Sequence, residues 1–471
     1  MISAIVRKLT YSGLPLTLLA VTLTSALPTT TATADETIPT RLFDPGFLGG
    51  DCNYHNLTSA SDGNLYFTLG THNDQIPTHI YRFDPKSAQI TLIANLSDVI
   101  GESPREHIPH GKIHTPLIEH DGHLYFGTHT SYYTGNLPNM TPPEGRAPYS
   151  GGHFMRYDLG TGNFEDLAQL QLPNEGIITA ALDKKNETLY GLTWPTGLLI
   201  SYNLGEGMLR NWGAVQQRGE WGRLPDEWNF ICRRLGIDPD GNLYGGTDTG
   251  KIWRFESDQQ RPVNYYENLN LKHLAPVQEA DFEVPAEAHF FWNNWRTILW
   301  NDNTESFWGL QGGSTQLFEF KPSSGMLRSV RPLRPANVDN LTRRNPLRTQ
   351  LGFMLGPNNT LLYLAHAPAV PVAGRPDVPS SIHLISYAID QDRYTDHGRL
   401  TSADGRRVYF TESIEIGADD HLYTVAWVET IDPARVQKIR AARALGTPKE
   451  QQEAVFEMML VQLPRWDQFL D

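Results

Sequence analysis

The amino-acid sequence predicts an all-β chain folded as a seven-bladed β-propeller of four-stranded blades, on three observations. A turn followed by Leu-Tyr, or a close variant, occurs seven times. Its aromatic position returns about every 60 residues, and a further alternating apolar segment follows most copies. Apolar alternation on both sides of each turn is the pattern of two strands joined by a tight hairpin. Such hairpins, each extended by a third and a fourth strand, make the blades of a propeller.

In chain order the units are Asp62-Gly63-Asn64-Leu65-Tyr66, Asp121-Gly122-His123-Leu124-Tyr125, Asn186-Glu187-Thr188-Leu189-Tyr190 and Asp240-Gly241-Asn242-Leu243-Tyr244. Weaker copies follow at Glu305-Ser306-Phe307-Trp308, Asn359-Thr360-Leu361-Leu362-Tyr363 and Asp419-Asp420-His421-Leu422-Tyr423. Third strands are expected near Tyr81, Met155, Ile200, Ile252, Leu317 and Ile385. The last unit places strands near 411–418, 421–428 and 455–463 and leaves little chain for an outer strand. Thr40–Leu48 is therefore expected to fill that position and close the ring. A run of good helix formers near 433–454, opening at Pro433, reads as a helical insert in the last blade. Cys52 and Cys232 precede the first strands of the first and fourth units. On such a ring they stand nearly opposite, beyond the ~7 Å reach of a disulfide, and are expected to be free.

The 53 acidic residues outnumber 39 basic ones, for a net charge of −14. That balance excludes the broad cationic surface a nucleic-acid binder needs. The N-terminus carries Arg7 and Lys8, an apolar run from Leu14 to Leu23, and Ala32-Thr33-Ala34. This is the pattern of a secretory signal peptide over residues 1–34. Cleavage after Ala34 would leave a single propeller domain, 35–471, in a secreted or periplasmic protein. The apolar run is too short for a membrane span, which takes ~20 residues, and no later segment reads as one.

The start of the first strand and the end of the second lie at the same end of a blade. At the starts stand His55, His114, Arg233 with Arg234, Trp292, Gln350 and Glu412; at the ends stand His72, His129, Trp194, Asp248, Gln311, His366 and Trp427. Folding does not require imidazole, guanidinium and indole groups in loops, and here they recur in register. The long loops from Thr130, Gln216, Glu267, Ala367 and Glu429 fall on the same face. A polar, aromatic funnel under elaborated loops is the expected binding site.

His114 and His129 sit on two edges of one blade, where neutral imidazoles could act as general bases, bind a metal or orient a sugar hydroxyl. His55, His72 and His366 add further imidazoles, so a divalent metal (Mn, Zn or Ca) is open as a cofactor, though no compact ligand motif requires one. Arg233 offers a planar fork for a carboxylate or sulfate, against a bland reading as a buried pair with Asp248. Tyr132 and Tyr133 could supply a phenolic acid or base. Trp194, Trp292 and Trp427 could stack on sugar faces, with Asp248 and Gln350 among the polar contacts.

An exported ring of such units, with histidines, arginine and aromatics at one mouth, resembles the propeller-fold polysaccharide lyases: the oligogalacturonate, ulvan and rhamnose–glucuronate lyases. The resemblance spans residues 41–465 in architecture. It implies a carbohydrate-active enzyme that cleaves uronic-acid glycans by β-elimination, with an anionic polysaccharide or oligosaccharide as partner. In this chain His114 and His129, with Tyr132 or Tyr133, would take the base and acid roles, and Arg233 would neutralise the carboxylate. The alternatives are a glycan- or protein-binding propeller without turnover, and a metal-dependent hydrolase or lactonase.

Overall fold

A computed structural model describes residues 31–32, 36–103, 105–131, 142–215, 220, 231–256, 264–274, 293–336, 349–367, 380–444 and 455–470. Tyr132, Tyr133 and Trp292 lie outside these, as do 445–454 of the expected helical insert and most of the expected signal peptide.

Each Leu-Tyr unit builds its hairpin through both residues. In the first, Leu57–Ser59 pairs antiparallel with Leu65–Leu69, followed by His79–Asp84 and Gln89–Asn95. Leu65 faces the apolar layer between sheets and is fully buried, while Tyr66 points to the opposite face. The Asp62 carboxylate accepts from the Asn64 backbone N–H at 3.0 Å and from the Tyr66 hydroxyl at 2.8 Å, so the buried phenol ties down the turn that precedes it. Tyr244 bonds Asp238 at 2.9 Å, Tyr423 bonds Asp419 at 2.9 Å, and the Trp308 indole bonds Thr304 at 3.0 Å. A phenylalanine at these positions would pack but leave the turn untethered.

Burial is greatest in the second strands and falls to the fourth. Leu65–Leu69 is buried throughout, whereas Gln89–Asn95 and Met208–Ala214, both fourth strands, have no fully buried residue. The described residues make five separate four-stranded sheets and one of ten strands. In the larger sheet Thr37–Phe43 changes partner midway. Thr37–Thr40 runs parallel to Arg399–Ser402, and Arg41–Phe43 runs antiparallel to Leu460–Gln462. The N-terminal strand thus lies on the last sheet strand, Phe456–Arg465, and also fuses the sixth and seventh repeats into one sheet, which the repeat pattern did not anticipate. Its seven residues are long enough to serve two edges. Thr31 and Ala32 lie beside Thr395 and Asp396, a pairing that cleavage after Ala34 would remove without touching 37–43.

Gly176–Asp183 lies beside Gly236–Ile237, that strand beside Trp295–Asn301, and that beside Phe353–Gly356; Glu415–Ile416 lies beside Leu57–Ser59. A cavity of about 520 Å³ is lined, among others, by Leu57, Leu117, Ala181, Leu235, Ile298, Phe353 and Ile414, one residue from each repeat, and forms the channel on which these strands open. A helix, Pro433–Ala442, follows the second strand of the last repeat, capped by the Asp432 side chain on the Ala434 N–H at 3.0 Å. Cys52 and Cys232 are free and buried. No described helix is long and apolar enough to cross a membrane.

Candidate functional site

The histidines at one end of the channel are positioned by hydrogen bonds within and between repeats. Lys112 and His129 exchange both backbone hydrogen bonds, at 3.1 and 2.8 Å, which brings His114 and His129 to the same end of the second sheet. The Asn56 side chain donates to the carbonyls of Ile113 at 2.6 Å and Thr115 at 2.8 Å, holding the His114 segment against the first repeat. The His55 N–H donates to the Glu412 carbonyl at 3.0 Å, linking first and last repeats.

These bonds assemble a row of rings. Tyr54 stacks on His114 with centroids 4.0 Å apart, His114 meets His129 edge-on at 5.8 Å, and His129 meets Trp194 edge-on at 5.4 Å. His55 lies 6.4 Å from His114. His129 occupies a slot that only glycine leaves open: a Cβ on Gly176 would stand 1.9 Å from its Nδ1. All three histidines are buried.

Burial first, then the neighbouring cations Arg233, Arg234, Arg296 and Lys112, hold His55, His114 and His129 well below the ordinary histidine range. They are neutral at physiological pH. The His55 tautomer is fixed by its partners. Its Nδ1 accepts from the Arg234 guanidinium at 3.2 Å, so Nε2 carries the proton that goes to the His114 carbonyl at 2.9 Å.

The three arginines are not equivalent. Arg233 sends both terminal nitrogens to Glu220, each at 2.8 Å, and is buried with it. Its fork therefore already holds a carboxylate, which weakens the expectation that it neutralises a ligand. Arg296 binds Glu412 Oε1 at 2.9 Å, and Glu412 Oε2 accepts from the Leu351 N–H at 2.7 Å. Arg234 has no carboxylate within ion-pair reach among the described residues. Desolvation lowers it to about 10, so it remains a cation. It lines the central channel beside His55.

The other expected residues take mixed places. His72 donates Nδ1–H to Asp51 at 2.9 Å and receives the Tyr54 hydroxyl at 3.4 Å, at an exposed position. Trp194 is fully buried against His129, and the Trp427 indole donates to the Asp51 carbonyl at 3.0 Å while its ring stacks on Tyr409 and Phe456. Trp194 thus has no face open to a ligand, whereas Trp427 is half-buried. Gln350 is buried, with its N–H on the Tyr363 hydroxyl at 3.0 Å, and Asp248 is buried. His366 faces Tyr409 edge-on at 6.3 Å. Tyr54, Gly176, Glu220 and the distinction between Arg233 and Arg234 escaped the sequence reading. Tyr54 alone carried a signal, standing directly before His55. Its hydroxyl is kept protonated by burial, with the nearby thiol and carboxylates adding to the effect.

A family description, strictosidine synthase-like, N-terminal, matches residues 235–255. No curated protein matches in sequence. Among solved structures, the chain is similar to the GH74 enzyme of Niastella koreensis, at 12% identity and a TM-score of 0.52, covering 81% of this chain and 52% of that one. It is also similar to the periplasmic gluconolactonase of Pseudomonas aeruginosa, at 14% identity and TM-score 0.48, over 79% and 93% of the two chains. A protein from Lactobacillus plantarum gives 10% identity and TM-score 0.49, over 86% and 99%. Together with the four-stranded sheets, the structural likeness identifies the fold: the chain is a β-propeller.

Proposed function

We propose that this is a seven-bladed, closed propeller, exported from the cytoplasm, whose histidine and arginine mouth binds an anionic sugar and cleaves it as a uronate lyase. One residue from each of seven repeats on a single channel supports the blade count, and the N-terminal strand on Phe456–Arg465 supports closure. The single observation that carries the functional reading is Arg234: a half-buried guanidinium without a carboxylate partner among the described residues, beside imidazoles held neutral. A site built for a carboxylate-bearing ligand needs a fixed cation that no protein group has already neutralised.

In this reading Arg234 takes the neutralising role first assigned to Arg233. One imidazole of the His114–His129 pair removes the C5 proton, and that C–H electron pair forms the C4–C5 double bond. The C4–O4 bond breaks, and the other imidazole or the Tyr54 hydroxyl returns a proton to the leaving oxygen. Nδ1 of both His114 and His129 is enclosed without a partner among the described residues, leaving Nε2 as the nitrogen that meets the ligand.

A panel of uronate polysaccharides incubated with the protein tests this by the absorbance of the unsaturated uronate. The reading expects product with at least one polymer, lost in His129→Ala; binding without product would assign a glycan-binding role instead. A second reading, a metal-dependent hydrolase or lactonase, is favoured by Asp51, Cys52 and His72, whose donor atoms lie within 4.8 Å of one another beside the mouth. Elimination by neutral imidazoles needs no metal at that group and persists in Cys52→Ser, whereas hydrolysis through the group stops.

A further inference from the structure

Behind the mouth, the crossing between the first and second repeats brings two histidines and a glutamate together in a way the proposed chemistry does not use. The helix Leu96–Ile100 stops at Gly101, whose φ of +82° turns the chain so that Glu102 projects from its end. His110 is held by its carbonyl on the Thr78 N–H at 3.0 Å, and His153 opens the strand His153–Asp158. His110 and His153 are both buried, and one donor atom from each of Glu102, His110 and His153 lies within 4.8 Å of the others.

The hydrogen bonds around this group leave one atom unexplained. His153 Nδ1 meets the Asp166 carboxylate at 2.8 Å, and a carboxylate only accepts, so the imidazole proton is on Nδ1. Nε2 is then a lone pair, and it is buried with no partner among the described residues. Beside it, His110 Nε2 stands 3.2 Å from Glu102 Oε2, while His110 Nδ1 lies 3.0 Å from both the Thr128 and Tyr149 hydroxyls. An imidazole oriented by a carboxylate on its far nitrogen, with the near nitrogen pointing at a second imidazole and a carboxylate, is the outer-shell arrangement of a metal-binding histidine.

We infer that Glu102, His110 and His153 bind one divalent transition-metal ion of the zinc type, a site separate from the mouth and independent of the lyase reading. Two imidazoles and a carboxylate are a zinc donor set with a fourth position left for water. An ion held at ~2.1 Å needs tetrahedral donors about 3.4 Å apart, close to the His110–Glu102 separation, and the other pairs have at most about 1.4 Å to close. The Glu102 side chain is 18% exposed and gives the ion a way in. Thr128 accepts from the His153 N–H at 2.8 Å and touches His110, and the next residue is His129, so the ion would brace the segment that carries the mouth.

The test uses the whole protein, stripped with a chelator, given one equivalent of Zn²⁺, passed through gel filtration and analysed for bound metal. The expected result is one zinc per chain, with His153→Ala and Glu102→Gln each binding at least tenfold more weakly while His72→Ala keeps the ion. Co²⁺ in place of Zn²⁺ should give the visible spectrum of a four-coordinate centre. Circular dichroism of Glu102→Gln, a nearly isosteric change, separates lost binding from lost folding. No retained zinc in the wild-type protein would overturn the inference. Zinc kept by a folded Glu102→Gln, or lost from His72→Ala instead, would also overturn it.

Discussion

Gly176→Ala probes how the mouth is built without removing any of its polar groups. The new Cβ would stand 1.9 Å from His129 Nδ1, 2.8 Å from Cε1 and 3.0 Å from Cγ, where ordinary contacts begin near 3.4 Å. Gly176 pairs with Trp194 across the sheet, and His129 is confined between Trp194 and His114, so the imidazole cannot move aside along its own row. Either His129 shifts by more than 1 Å or the strand does. Overpacking of this kind costs about 1–3 kcal/mol, and a displacement of that size at a catalytic group costs about 10²-fold in turnover. Urea unfolding of the variant, with the His129 ring signals followed by NMR, reads both effects. A variant within about 0.5 kcal/mol of wild type and with unmoved His129 signals would refute the reasoning, because it would mean the slot has room to spare.

Other expectations follow from the same geometry. Arg234→Met removes a half-buried cation without a carboxylate partner among the described residues, but also the 3.2 Å donor to His55 Nδ1, so stability should change by no more than about 1 kcal/mol while uronate binding falls at least tenfold, read by thermal melting and calorimetry. His55, His114 and His129 have folded pKa values depressed below the unfolded value near 6.5, so the unfolded chain binds more protons at acid pH. Their contribution is full above that pH and lost below it, with a slope approaching about 4 kcal/mol per pH unit; urea unfolding from pH 8 to 5 measures it, and His114→Gln should flatten it by about a third. Tyr423→Phe deprives Asp419 of its 2.9 Å bond and Gln462 of its 2.7 Å acceptor, and should cost about 1–3 kcal/mol in chemical denaturation.

Much of the fold could be read from residues with a local reason for their position. The Asp-Gly turns and Leu-Tyr pairs mark hairpins because the leucine fills the layer between sheets while the tyrosine reaches back to the turn, and both demands act within a few residues. The pairing of His114 with His129 was legible for the same reason, since strand register places them at one end. The partner of Arg233 was not. Glu220 lies in a crossing segment outside the repeat, and no periodicity points to it. Nor could adjacent arginines be told apart, since alternation turns them to opposite sides without saying which side holds a carboxylate. The fusion of two repeats by Thr37–Phe43 depends on two edges meeting one strand, a tertiary fact with no sequence mark.

The central claim is that Arg234 waits for a ligand carboxylate. A crystal structure of the His129→Ala protein soaked with an oligouronate tests it most directly. The account predicts a sugar carboxylate within hydrogen-bond distance of the Arg234 guanidinium, with the ring over His114. A saccharide bound at the opposite end of the channel, or with its carboxylate on other groups while Arg234 stays uncontacted, would contradict it.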